Sequence, residues 1–103
     1  MSKERNKEIA IIIFQQLGGY YKVNAMIGIE SLVYCENGIQ FKVKCKGSKA
    51  NFIRIIVNAL DLYDVEFGNI KGEAYKQNNV FKNIHCEDLK DLIESETGLY
   101  LSL

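Results

Sequence analysis

The 103-residue sequence contains no proline and no tryptophan, one histidine, and three cysteines. With no proline, no low-complexity stretch and no internal repeat, nothing reads as a linker, and residues 1–103 read as a single domain. The cysteines, Cys35, Cys45 and Cys86, are odd in number and form no C-x-x-C pair. They therefore fit reduced thiols better than a disulfide framework or a zinc site. No window approaches the roughly 18–20 unbroken apolar residues of a membrane span. The 13 basic and 13 acidic residues cancel, so no global field draws the chain to nucleic acid or to an anionic membrane. The first residues, Met1 to Glu8, are polar and of mixed charge, unlike a secretory signal, so a cytoplasmic setting is expected.

Catalytic patterns are missing as well. There is no nucleophile elbow, no phosphate-binding glycine loop and no dinucleotide fingerprint. The single histidine, His85, stands where a helix should begin, a place that suits a cap or a surface residue. No enzymatic activity and no cofactor are expected.

What is present is a well-patterned globular chain, 48% hydrophobic and 25% charged. From Arg5 to Leu17, Ile9, Ala10, Ile13, Phe14 and Leu17 recur at helical spacing, and Gly18-Gly19 stops the run. Ile11 and Ile12 widen the stripe, which predicts a largely covered helix. The next segment is ambiguous: Tyr20–Val23 suits a short strand, and Ala25–Gly28 a turn or bent strand. Residues Ile39 to Lys46 alternate strictly, with Ile39, Phe41, Val43 and Cys45 facing in. Asn37-Gly38 before them is a favoured hairpin dipeptide, pairing Ser31–Glu36 with this strand. A two-residue loop sets Tyr34 opposite Phe41 and Leu32 opposite Val43, whereas a one-residue slip turns Val33 and Cys35 inward.

Phe52 to Ala59 reads as the next strand and Tyr63–Phe67 as another, with Arg54 opposite Glu66 if the turn centres on Leu60. Gly68 and Gly72 permit a bulge or bend. Glu73–Asn83 is polar and predicts one short edge strand followed by a loop. A last helix is expected from Cys86 to Thr97, with Glu87 and Asp88 in its first turn. Leu89, Leu92 and Ile93 form its buried face with Cys86 alongside, and Gly98 closes it. The apolar tail Leu99–Leu103 should dock on the core or a sheet edge, of this chain or of a second copy. The fold class is therefore α+β: a two-layer sandwich with an N-terminal helix, four or five mainly antiparallel strands and a C-terminal helix.

Three groups of residues are candidates for contact with a partner. Lys42, Lys44 and Lys46, with Lys49 nearby, form a basic stripe of the kind that binds nucleic acid when aromatics accompany it. The aromatics of that strand are expected on its other face, which leaves nucleic-acid binding as the alternative reading. Asp61, Asp64 and Glu66 form an acidic cluster that fits a solvated face paired with Arg54 better than a metal site, since two carboxylates without a third ligand hold a cation weakly. Tyr20 and Tyr21, which split one in and one out if that segment is extended, belong to a residue type enriched at protein interfaces.

Three segments carry a resemblance: Gln15–Gly19 after the first helix, Asn58–Phe67 in the middle, and Thr97–Leu103 at the end, with Met26-Ile27-Gly28 as a Met-x-Gly stretch. Over nearly its whole length the chain resembles a family of small proteins encoded by bacteriophages and bacterial integrative elements, whose motifs carry no known chemistry. The resemblance implies a bacterial host cytoplasm and action by binding a host or phage protein, in the manner of inhibitors of defence systems such as CRISPR nucleases.

Overall fold

The computed structural model describes residues 3–44 and 49–98, with side chains from residue 7 onward. Among these residues the order is α1 (Lys3–Gln16), α2 (Tyr20–Ile27), β1 (Ile29–Cys35), β2 (Gly38–Val43), β3 (Phe52–Val57), β4 (Tyr63–Lys71), β5 (Ala74–Ile84) and α3 (Cys86–Thr97). The strands form one antiparallel sheet, ordered β1-β2-β3-β4-β5. The helices supply Ala10, Ile13, Phe14, Leu17, Val23, Ile27, Leu89 and Ile93 to one core, which packs against Ile39, Phe41, Val43, Ile53, Ile55, Val65 and Phe67 of the sheet. The fold is thus the expected α+β sandwich, with the helices on one sheet face and, among the described residues, nothing over the other, the bare face.

The period-2 pattern explains the middle strands. Ile39, Phe41 and Val43 of β2, Ile53 and Ile55 of β3, and Tyr63, Val65 and Phe67 of β4 are buried. Burying each large side chain contributes roughly 1.5–3 kcal/mol. Arg54 pairs with Glu66 across β3 and β4, as their spacing predicts. Helix α3 has its expected bounds, Leu89 and Ile93 are buried as expected with Leu92 partly so, and Gly98 ends it at φ 76°, donating its N–H to the Glu94 carbonyl.

Five local expectations are corrected. Tyr20–Val23 begins a helix, not a strand. Val23 and Ile27, one turn apart, both seat in the core, and that packing outweighs the β-propensity of two tyrosines and a valine. Tyr20 and Tyr21 accordingly do not split inward and outward; both are exposed. In α1 the extra isoleucines are not covered: Ile11 is 49% and Ile12 48% exposed, because the core takes only the stripe of Ala10, Ile13, Phe14 and Leu17. Cys86 is exposed rather than alongside the buried face of α3. Residues 74–84 make one long edge strand, not a short strand and a loop.

The fifth correction concerns the first hairpin. Its loop is Glu36-Asn37, so Tyr34 pairs with Ile39 and Val33 with Gln40, not Tyr34 with Phe41. Asn37 takes φ 63° there, while Gly38 already belongs to β2. What demands glycine at 38 is close approach, since a Cβ would overlap the carbonyl oxygen of Ile55 and stand 2.9 Å from the Ile56 Cα. A register shift between Glu30 and Val33, with Ser31 at φ 55°, places a bulge in β1, and Val33 stays exposed on the bare face. Cys45, Lys46 and Leu99–Leu103 lie outside the described residues, and so do the expectations that rest on them.

Candidate functional site

An apolar cleft lies between α1, α2 and β1. Because the core takes one stripe of α1, Ile11 and Gln15 are left on its flank, facing β1. The turn at Gly18-Gly19, with φ near 100° at both residues, sends the chain back so that Tyr20 closes one end. Leu32 and Tyr34 of β1 supply the far wall. The result is a cleft of about 350 Å³ lined by Ala10, Ile11, Phe14, Gln15, Gly19, Tyr20, Leu32 and Tyr34. That volume falls within the roughly 300–1,000 Å³ of ligand-binding clefts. Among the described residues, none that lines it is charged.

Aromatic contacts fix the rim. Phe14 at the floor meets Tyr20 edge-on at 5.2 Å, and Tyr20 meets Tyr21 edge-on at 5.7 Å. Such pairs contribute roughly 0.5–1.5 kcal/mol beyond burial and hold rings in place. Tyr21 itself stands out, 87% exposed. Tyr20, with Tyr21 against it, thus joins one surface with Ile11 and Tyr34. Of these, reasoning from sequence singled out only the two tyrosines. The signal for the rest was the pair Ile11-Ile12, two apolar residues more than the core stripe of α1 needs.

The charged candidates lie elsewhere, on the bare sheet face and its ends. Arg54 is their centre. Its Nε and Nη2 donate to Gln40 Oε1 at 3.2 and 3.0 Å, and its Nη1 stands 3.5 Å from Glu66 Oε1. The guanidinium also lies 5.6 Å from the centre of the Phe52 ring. Glu66 accepts a short hydrogen bond from the Tyr75 hydroxyl. Removal of that hydroxyl from water, the hydrogen bond and the carboxylate charge push Tyr75 up to about 12. Burial also pushes the Cys35 thiol up, against a smaller opposing pull from Arg54, so Cys35 is no activated nucleophile. Burial likewise raises the Tyr63 hydroxyl, helped by the charge of Cys86.

The acidic residues are not brought to one point. Asp61 sits in the β3–β4 turn at φ 60°, where Asn58 Oδ1 accepts the backbone N–H groups of Leu60 and Leu62. Asp64 accepts from Asn58 Nδ2 at 2.9 Å and from the Asn83 backbone at 3.1 Å. Glu66 faces Arg54. Among the described residues no three histidine, cysteine or acidic side chains group as metal ligands.

Of the lysine stripe, Lys46 lies outside the described residues. Lys42 is half-buried on the bare face, paired across the ladder with Glu30, and Lys44 lies beyond the strand end. Phe41, the aromatic of the lysine-bearing strand, points into the core as expected, while Phe52 of β3 and Tyr75 of β5 lie on the bare face. They pack edge-to-face at 5.3 Å, and Phe52 is buried beneath Tyr75 and Arg54, so it offers no ring for a base to stack on. Among the described residues no helix is long and apolar enough to cross a membrane. Comparison of the chain with protein-family models, with curated proteins and with solved structures finds no match.

Proposed function

We propose that the protein acts by binding another protein, without catalysis, and that the cleft between α1, α2 and β1 receives apolar anchor side chains of that partner. The uncharged cleft of about 350 Å³ with its tyrosine rim carries this reading. Interface centres are depleted in charge and rich in tyrosine, and a few anchors seated in such pockets supply most of the binding energy. A charged or nucleic-acid ligand finds no counter-charge in the cleft. Following the resemblance noted above, the setting is a bacterial host and the chain an accessory protein of a phage or integrative element. Its partner is then a host or phage protein, with a host defence complex such as a CRISPR nuclease as the inhibited class.

The test is an affinity capture from bacterial lysate with the intact protein and with Ile11→Asp, each with and without nuclease treatment. Ile11 is already half exposed, so the charge enters the cleft wall while the core stripe is untouched. A partner that survives nuclease should be retained by the intact protein and lost, by about tenfold or more, from the variant, whose melting temperature stays within a few degrees. Equal capture by both proteins, or captures that vanish with nuclease, would overturn the reading; the second result would return attention to Lys42, Lys44 and Lys49.

A further inference from the structure

The sheet end that carries the β1–β2 turn holds a chemical feature that the cleft does not use. Asn37-Gly38 is the only asparagine–glycine step in the sequence. In an unfolded chain such a step is the one at which a main-chain nitrogen most readily attacks the preceding asparagine side chain, because glycine has no Cβ to shield it. In the fold both reacting residues are engaged. Asn37 is half-buried at φ 63°, and its carbonyl accepts the Val57 N–H at 2.8 Å. That bond makes Gly38 and Ile56 a non-hydrogen-bonded pair of the β2–β3 ladder, so the Gly38 N–H faces Cys35 in the β1–β2 ladder. Gly38 is itself buried, with the Ile55 carbonyl where a Cβ would stand. To reach the Asn37 side chain, the Gly38 nitrogen must turn about the Asn37 Cα–C bond. That turn breaks the Val57 hydrogen bond and draws Gly38 out of the ladder.

We propose that Asn37 is a self-modification site held in check by the first hairpin, and that each opening of the hairpin exposes the chain to a permanent change. In the open state the Gly38 main-chain nitrogen gives its proton to hydroxide and bonds to Asn37 Cγ. The Cγ–Nδ2 bond breaks and ammonia leaves. Water then opens the resulting cyclic succinimide at one of its two carbonyls. Opening at Cγ leaves an aspartate at position 37, and opening at the main-chain carbonyl leaves an isoaspartate, with the chain running through its Cβ and Cγ. Both products oppose reclosure. The isoaspartate lengthens the backbone of a two-residue loop whose flanking pair, Cys35 and Gly38, is fixed by the close approach to Ile55. The aspartate sets a second carboxylate near Asp61, since Asn37 and Asp61 line one cleft of about 340 Å³ at this end of the sheet. The hairpin thus records its own openings irreversibly.

The test holds the folded protein, and the protein unfolded in guanidinium chloride, at mildly basic pH. Conversion of Asn37 is followed by peptide mass spectrometry, with isoaspartate identified by enzymatic methyl transfer to its carboxylate. The unfolded chain should convert, with isoaspartate among the products. The folded protein should convert about tenfold or more slowly, because only its open population reacts. Ile39 is buried in this hairpin, so Ile39→Val weakens the closed state without emptying the core. That variant should speed the folded-state reaction about threefold or more and leave the unfolded rate unchanged. Asn37→Gln, which must close a larger and slower-forming ring, should stay unconverted over the same period in both states. Converted protein, separated by its added charge on ion exchange, should melt several degrees below the parent. Equal rates in the folded and unfolded states, a folded-state rate indifferent to Ile39→Val, no conversion in the unfolded chain, or a converted protein as stable as the parent would each overturn the proposal.

Discussion

The two edges of the sheet handle the same exposure problem in different ways. β1 is interrupted: Ser31 takes a left-handed conformation, the register slips between Glu30 and Val33, and α1 and α2 stand over the strand with an uncharged cleft between them. β5 spans eleven residues with two lysines, and it is interrupted too: its register against β4 shifts twice and Asn83 takes φ 59°. A bulge ends ladder pairing and re-aims side chains, which converts a backbone edge into a side-chain surface. β5 is bulged as well, and what sets it apart is that nearly all of its side chains meet water, two of them lysines, which discourage unwanted strand addition. The difference shows that one sheet can end in an apolar cleft at one border and in a polar, lysine-bearing strand at the other.

Substitutions at matched glycines sharpen that contrast, the largest effect first. Gly38 lies between β1 and β3, where a Cβ overlaps main-chain atoms of Ile55 and Ile56 that cannot step aside. Gly38→Ala should cost about 3 kcal/mol in denaturant unfolding, because strand separation itself must change. Gly68, paired with Gln77 of β5, meets the Tyr75 ring instead. An exposed ring can swing away, so Gly68→Ala should cost only about 1 kcal/mol, mostly the lost hydrogen bond to Glu66. If both variants lose the same stability, the β5 border is as tightly built as the β1 border, and the contrast fails.

The smallest effect is a pH dependence confined to the β5 side. Tyr75 holds its proton up to about 12 in the folded state, above the value near 10 of a free tyrosine. The native state therefore binds more protons than the unfolded state in that window. Its contribution is intact below pH 10 and is lost as the pH rises through 10 to about 12. Tyr75→Phe should flatten that part of the stability profile. Tyr63 is raised as well and leaves a residual slope, so the comparison is between the variant and the parent across the window. A profile unchanged by Tyr75→Phe would show that the Tyr75–Glu66 hydrogen bond does not persist in solution.

Much of this architecture was legible in the sequence where burial is one-sided. The strict alternation of Ile39–Val43, the glycine stop at Gly98 and the Arg54–Glu66 pairing all follow from periods that only one arrangement satisfies. Legibility failed where burial is slight or shared. Tyr20–Val23 was ambiguous because only Val23 and Ile27 of that helix are buried, too few to impose a period. β5 showed no alternation because nearly all its side chains meet water, so nothing forces polar and apolar residues to take turns. The first hairpin register was displaced because its glycine is dictated by Ile55 across the next strand, a contact no local pattern reports. The cleft was half legible: its two tyrosines stood out, but Ile11, Leu32 and Tyr34 meet only once α1 has crossed β1.

The plain strand order has a kinetic meaning. Because every strand pairs with the one before it, the sheet is built entirely by closing short loops, whose entropic cost is small, and no segment has to await a distant sequence partner. Each new hairpin extends a ladder already made, so the sheet can assemble in the direction of synthesis, and β5 is by order the last strand to find its neighbour.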